Sequence, residues 1–231
     1  MADQKQKSTD HVQLNLVTVK RSRFSRMHLD DCETWPVVLQ FFFYPRPLGH
    51  QQFFSLRVVL WVAMIFFTVQ LFRQGYDASI AQYLHCLNLP VHETGHIVFG
   101  FLNKPVLTSL GGSLFQIIMP LVFCFALWIK PRDLLGAAVG LWWAFENFID
   151  VAPYIADAIP MRLTLISGGT GSEAPYGFHD WNFILSETGL LHKYEKIADT
   201  VYAIGYIGMT LCCLWAGWSL FYYWKYQRVK K

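Results

Sequence analysis

The segment FFSLRVVLWVAMIFFTVQLF, residues 53–72, decides the fold class, because its 20 residues carry a single charge, at Arg57. About 20 predominantly apolar residues in an α-helix are enough to cross the hydrocarbon core of a bilayer. Arg57 lies near the start of the segment, from where its long side chain can reach the membrane interface. The segment therefore predicts a transmembrane helix.

Three further long and mostly apolar segments follow, at residues 113–129, 134–156 and 201–224. The first two are separated by Lys130-Pro131-Arg132, which predicts an antiparallel pair of helices. In the whole chain 54% of the residues are hydrophobic and only 15% are charged, whereas about 25% are charged in soluble domains. This composition argues against a soluble globular protein and against a disordered one.

The sequence thus predicts an all-α polytopic membrane protein with about four full transmembrane helices and one short helix. The short helix is expected to begin at Pro90 and to run to Leu102, and 13 residues reach about 20 Å. Because the hydrocarbon core is about 30 Å thick, this helix is expected to enter the membrane and return. Basic residues favour the cytoplasmic side, so the basic segments near both ends predict cytoplasmic termini.

Three regions are expected along the chain. Residues 1–52 form a cytoplasmic or interfacial segment, residues 53–224 a membrane-embedded domain, and residues 225–231 a basic tail. Within the domain, residues 157–196 form a glycine-rich loop that carries His179-Asp180-Trp181. A net charge of +3 does not indicate a nucleic-acid partner, and the lipid bilayer is the expected partner. The sequence carries no signal for an oligomeric state.

The strongest chemical signal is His92-Glu93-Thr94-Gly95-His96. Residues four apart share one face of a helix, so both imidazoles can bind one zinc ion, with Glu93 beside them as a general base. Ionisable side chains within an apolar helix are costly and point to a functional site. The alternative is two interfacial histidines and a paired glutamate. Gly95 is expected to permit close approach of another backbone to this helix.

These residues resemble the site-2 protease family of intramembrane zinc metalloproteases, which carries HExGH at the start of a short apolar helix. The resemblance covers the motif and the overall hydropathy. It implies that His92 and His96 bind Zn2+, that Glu93 is catalytic, and that the substrate is a membrane-associated protein. It also implies a third ligand, usually an aspartate, from a later helix.

The third ligand is not given by a Leu-Asp-Gly motif, which the family carries and this chain lacks. His179 is the first candidate and Asp180 the second, because both follow the glycine-rich loop and precede a new helix. Asp150 is the third. The alternatives are an interfacial role for His179, a helix cap for Asp180, and orientation of a ligand or substrate by Asp150 and Asn147.

The sequence therefore favours a membrane-embedded zinc-dependent endopeptidase. Residues 104–112 are expected to hold an extended substrate by backbone pairing. Two other functions stay open at this point: a non-catalytic membrane scaffold or subunit with structural zinc, and a zinc-dependent hydrolase of a lipid or another small molecule.

Overall fold

The fold was obtained as a computed structural model, which describes residues 39, 42–43, 53–75, 79–129, 131–166 and 168–229. These residues form six α-helices from Phe54 onward and a short 3-10 turn at Leu191–Lys193. The predicted N-terminal segment lies almost entirely outside the described residues, as do the last two residues of the basic tail. The helices are α1 (Phe54–Gln74), α2 (Ser79–Gly100), α3 (Pro105–Ile129), α4 (Leu134–Ala156), α5 (Asp180–Glu187) and α6 (Tyr194–Val229).

The predicted all-α membrane fold is confirmed. The described part of the chain contains helices and an isolated bridge between Thr164 and Thr170 but no strand. Four helical stretches are long and apolar enough to cross a membrane, which is the number that the sequence predicts. These stretches are Phe54–Gln74, Pro105–Ile129, Leu134–Ala156 and Leu191–Lys225.

Helix α2 differs from its prediction, because it begins at Ser79 and continues through Pro90 for 22 residues. At 1.5 Å per residue this is about 33 Å, so the helix is not the short one expected from Pro90. Contacts before Pro90 account for the difference. The Asn88 amide donates to Glu146 Oε2 at 3.0 Å, and His85 Nδ1 lies 2.9 Å from Asp150 Oδ1. Both contacts hold the first half of α2 against α4.

Residues 104–112 also differ from their prediction, because Pro105 begins α3 and no strand forms there. Proline at the first helical position has the φ angle that a helix needs and lacks only an N–H that would have no partner. The N–H of Thr108 donates to the Lys104 carbonyl at 2.8 Å, which closes the first turn. This segment therefore forms the start of helix α3 and is not an extended segment that could pair with a substrate.

The α2–α3 contact is close enough to require glycine. A Cβ atom added at Gly95 would lie 2.7 Å from Phe115 Cβ and still closer to the Gly111 carbonyl oxygen. One added at Gly111 would lie 2.6 Å from Phe99 Cβ. The prediction that Gly95 permits close approach of another backbone is therefore confirmed.

The main apolar core lies between α1, α4 and α6. Its fully or nearly fully buried members include Leu71, Leu135, Ala138, Met209 and Ala216. At one end of this core, Arg57 donates to both carboxylate oxygens of Asp133 at 2.8 Å, and Asp133 also caps α4 through the Gly136 N–H. A second cluster, which includes Ile155, Leu185 and Ala198, fixes α5 against the other end of α4.

Candidate metal centre

Three potential metal ligands converge between α2 and α5. His92 and His96 lie one turn apart on α2, with ring centroids 4.8 Å apart. The Nε2 atom of each ring lies 3.3 Å from the same atom, Asp180 Oδ2. Their ligand atoms all lie within 4.8 Å of one another, and in the described residues no other group of three histidine, cysteine or acidic side chains meets that condition. His92 and Asp180 are both 8% exposed, so the centre is largely shielded from solvent.

The orientation of both imidazoles leaves their ligand nitrogens free for a metal. His92 Nδ1 lies 2.6 Å from the Gln116 side-chain oxygen, and His96 Nδ1 lies 2.8 Å from the Thr108 carbonyl oxygen. A carbonyl oxygen only accepts, so the hydrogen of each neutral ring is assigned to Nδ1 and the Nε2 lone pair faces Asp180. Three acceptor atoms in one place repel one another unless a proton or a metal ion lies between them. The donor set can therefore hold a metal ion.

Asp180 reaches the histidines because α5 begins at this residue. Tyr154 of α4 holds the start of α5 in place, because the Asp180 N–H donates to the Tyr154 hydroxyl at 3.0 Å. The same hydroxyl lies 3.4 Å from Asp180 Oδ2. The Trp181 indole donates to Ser113 Oγ at 3.2 Å and ties the start of α5 to α3.

The Asp180 carboxyl group is suited to bind a cation. Burial would raise its pKa, but His92 and His96 outweigh burial when their Nε2 atoms carry protons, because the rings then donate hydrogen bonds and bring positive charge to the carboxylate, and the pKa lies below its ordinary value. The group is therefore an ionised carboxylate at neutral pH.

His179 lies beside the centre but does not enter it. Its Nδ1 accepts the Asn182 N–H at 3.2 Å and so caps α5. Its Nε2 lies 3.3 Å from Asp157 Oδ2, and its ring packs on Tyr154 at a centroid distance of 4.4 Å. In the described residues Asp180, and not His179, joins His92 and His96 in the group that could hold a metal ion. The expected cap at the start of this helix exists, but His179 provides it.

Asp150, the third candidate, lies behind the centre. Its Oδ2 accepts from the Gln116 side chain at 3.1 Å and from Asn88 at 3.3 Å. Asn147 Oδ1 accepts from the same Gln116 nitrogen at 2.9 Å. Asp150 and Asn147 therefore contact His92 only through Gln116.

Glu93 is half-buried and lies outside the triad. It follows His92 in α2 and is close enough to act electrostatically on His96 and on Tyr154. Glu93 is therefore a neighbour of a potential ligand on the same helix without belonging to the group of ligands itself.

Sequence reasoning missed two residues of the centre, Gln116 and Tyr154. It gave two others, Thr108 and Gly112 in the segment 104–112, a different role, the pairing with a substrate. A Cβ atom added at Gly112 would lie 2.6 Å from His92 Cδ2 and 2.7 Å from Cε1, so only glycine leaves room for the ring. Gln116 carried a usable signal, because it is the one amide in the apolar segment 113–129 and polar side chains at membrane depth have functional reasons.

An open cavity of about 570 Å³ lies next to the centre, near the α2–α3 turn. Its walls share residues with the surroundings of the triad. Thr108, whose carbonyl faces His96, lines it, and so does Phe183, one turn after Asp180 in α5. Tyr176 and Phe178 add aromatic surface, and Lys104 adds a positive charge.

Comparison of the chain with known protein families, curated proteins and solved structures gives no match. The functional argument therefore depends on the geometry of the centre and on the motif in α2.

Proposed function

We propose that this protein is a membrane-embedded zinc-dependent endopeptidase that hydrolyses peptide bonds of membrane-associated proteins. The proposal depends on one observation. The atoms His92 Nε2, His96 Nε2 and Asp180 Oδ2 lie within 4.8 Å of one another, and Glu93 follows His92 in the sequence. Two imidazole nitrogens and one carboxylate oxygen suit zinc, and three protein ligands are the number found in catalytic zinc sites. When bound, zinc would polarise the scissile carbonyl group and acidify a water molecule.

The chain's own residues supply the proton transfers. Glu93 takes a proton from the attacking water and returns it to the leaving amine. Tyr154 holds Asp180 through its hydroxyl group, and Thr108 holds His96 through its carbonyl. The cavity beside the α2–α3 turn gives a substrate segment room to approach from the open side.

The resemblance to the site-2 proteases supports the same function. It implies a third ligand from a later helix, and Asp180 lies in such a helix. With only the four candidate spans crossing the membrane, the basic ends place both termini in the cytoplasm, and the loop 157–196 and the cavity face the outside of the cell. A substrate cleaved here would present its peptide bond near the outer surface of the membrane.

Structural zinc is the main alternative, and the ligand number argues against it. A structural site is closed by four protein ligands, whereas the described residues bring three together. A structural site also has no use for a base at Glu93. Hydrolysis of a lipid would use the same chemistry, and the choice of a peptide depends on the resemblance.

The test is a comparison of cleavage products in membranes of an expression host that contains the wild-type protein or Glu93→Gln. New N-termini in membrane proteins, mapped by mass spectrometry, are expected with the wild type and not with Glu93→Gln. Lipid extracts of the same membranes are measured in parallel. Equal sets of N-termini together with a Glu93-dependent change in lipids would replace the peptidase by a lipid hydrolase, and equality in both would support the scaffold.

A further inference from the structure

A line of buried polar side chains connects His92 with α4. Gln116 accepts from His92 with its oxygen at 2.6 Å and donates with its nitrogen to Asn147 Oδ1 at 2.9 Å and to Asp150 Oδ2 at 3.1 Å. Gln116 is 3% exposed and Asn147 is fully buried. Water therefore cannot substitute easily for any of these contacts.

The two contacts on α4 determine which way the Gln116 amide faces. Both partners of the amide nitrogen are oxygen acceptors, so the amide cannot turn over without setting its oxygen against two other oxygens. Asn147 is itself fixed, because its nitrogen donates to the Trp143 carbonyl at 2.9 Å. Asp150 is fixed by Asn88 and by His85. The amide oxygen of Gln116 therefore always faces His92.

The direction of the amide decides the state of the ligand nitrogen. An oxygen at Nδ1 requires hydrogen on Nδ1 and leaves the Nε2 lone pair for the metal. A reversed amide would offer an N–H to Nδ1 and favour hydrogen on Nε2, which cannot then bind a metal. We propose that Gln116, anchored by Asp150 and Asn147, is the positioning residue that sets the tautomer of His92 and thereby the zinc affinity of the centre.

The two histidines differ in how they are oriented. His96 is held by the backbone carbonyl of Thr108, which no side-chain substitution removes. His92 is held by a side chain that depends on a second helix. The inference rests on the metal site of the proposed function, but its test measures zinc binding and not proteolysis, so each can fail without the other.

The experiment is a competition titration of zinc against a chromophoric chelator, on protein purified in detergent. Gln116→Leu removes the acceptor at similar size, and the zinc dissociation constant is expected to rise by about 10–100-fold, as for loss of a partner behind a metal ligand. Asp150→Asn keeps the shape of the anchor and removes its charge, and an increase of up to about 10-fold is expected.

Thr68→Val is the matched control. Thr68 accepts from the Trp142 indole at 2.8 Å in the buried core of the same membrane domain, away from the centre. Its loss is expected to lower the melting temperature and to leave zinc affinity unchanged. If Gln116→Leu folds and binds zinc as the wild type does, or if Thr68→Val loses as much affinity, the inference is overturned. If Gln116→Leu does not fold, Asp150→Asn decides, and unchanged affinity in that variant overturns the inference.

Discussion

Gly112 offers a direct test of the centre, because this glycine touches a ligand ring. A Cβ atom there would lie 2.6 Å from His92 Cδ2, whereas ordinary carbon contacts are about 3.5 Å or longer. The ligand atom Nε2 of His92 would lie closer still, so Gly112→Ala must displace the ring by at least roughly 0.9 Å. The ring cannot retreat freely, since His92 is buried and its Nδ1 is bonded to Gln116.

A displacement of this size is large compared with the tolerance of a zinc–nitrogen distance, which is about 0.2 Å. Loss of a group that orients a metal ligand costs about 10–100-fold in metal affinity, and displacement of the ligand ring itself belongs at the upper end of that range. We therefore expect Gly112→Ala to weaken zinc binding by about 100-fold, which is about 2.8 kcal/mol. Alanine has the higher helix propensity, by about 1 kcal/mol, so loss of α3 is not the cause of the effect.

The assay is the chelator competition, with Gly100→Ala as the matched control. A Cβ atom at Gly100 would meet only Thr108 Cγ2, at 3.9 Å, so this variant is expected to bind zinc as the wild type does. The melting temperature of the metal-free protein shows whether each variant is folded. If folded Gly112→Ala keeps the wild-type affinity, the position assigned to the His92 ring is refuted.

Three further outcomes are expected. Gly100→Leu places a larger side chain in the cavity. It should reduce cleavage of the mapped membrane-protein substrates at least about tenfold while zinc stays bound. Unchanged cleavage would show that substrates approach the centre elsewhere. His179→Ala should still bind one zinc ion, with lower affinity because α5 loses its N-terminal cap. Asp180→Ala should bind none. The reverse result in elemental analysis would make His179 the ligand. Arg57→Met leaves Asp133 without its two hydrogen bonds and should lower the free energy of unfolding by about 2 kcal/mol, seen as a lower melting temperature, and an unchanged melting temperature would show that the pair contributes nothing.

Hydropathy was sufficient to predict the membrane fold, because a helix that crosses a bilayer must be long and apolar whatever it contacts. The continuation of α2 through Pro90 could not be predicted in the same way. It depends on contacts of His85 and Asn88 with α4, which join residues about 60 positions apart in the chain. A local rule for proline does not include such contacts.

The centre was predictable only in part, because some of its residues follow from local helix geometry and others depend on contacts between distant parts of the chain. The spacing of His92 and His96 defines one face of a helix, so these two residues follow from local geometry. Asp180 and His179 are neighbours in sequence, and local geometry cannot rank them. Contacts with distant residues distinguish them. Asp157 lies 3.3 Å from His179 Nε2, and the Tyr154 hydroxyl accepts from the Asp180 N–H.

The central claim is that His92, His96 and Asp180 hold one zinc ion and leave Glu93 free. Elemental analysis of protein purified in detergent tests it most directly, on the wild type, His96→Ala, Asp180→Ala and Glu93→Gln. One zinc ion per chain is expected in the wild type and in Glu93→Gln, and none in the other two. A wild-type protein without zinc, or Asp180→Ala with a full zinc content, would contradict the account.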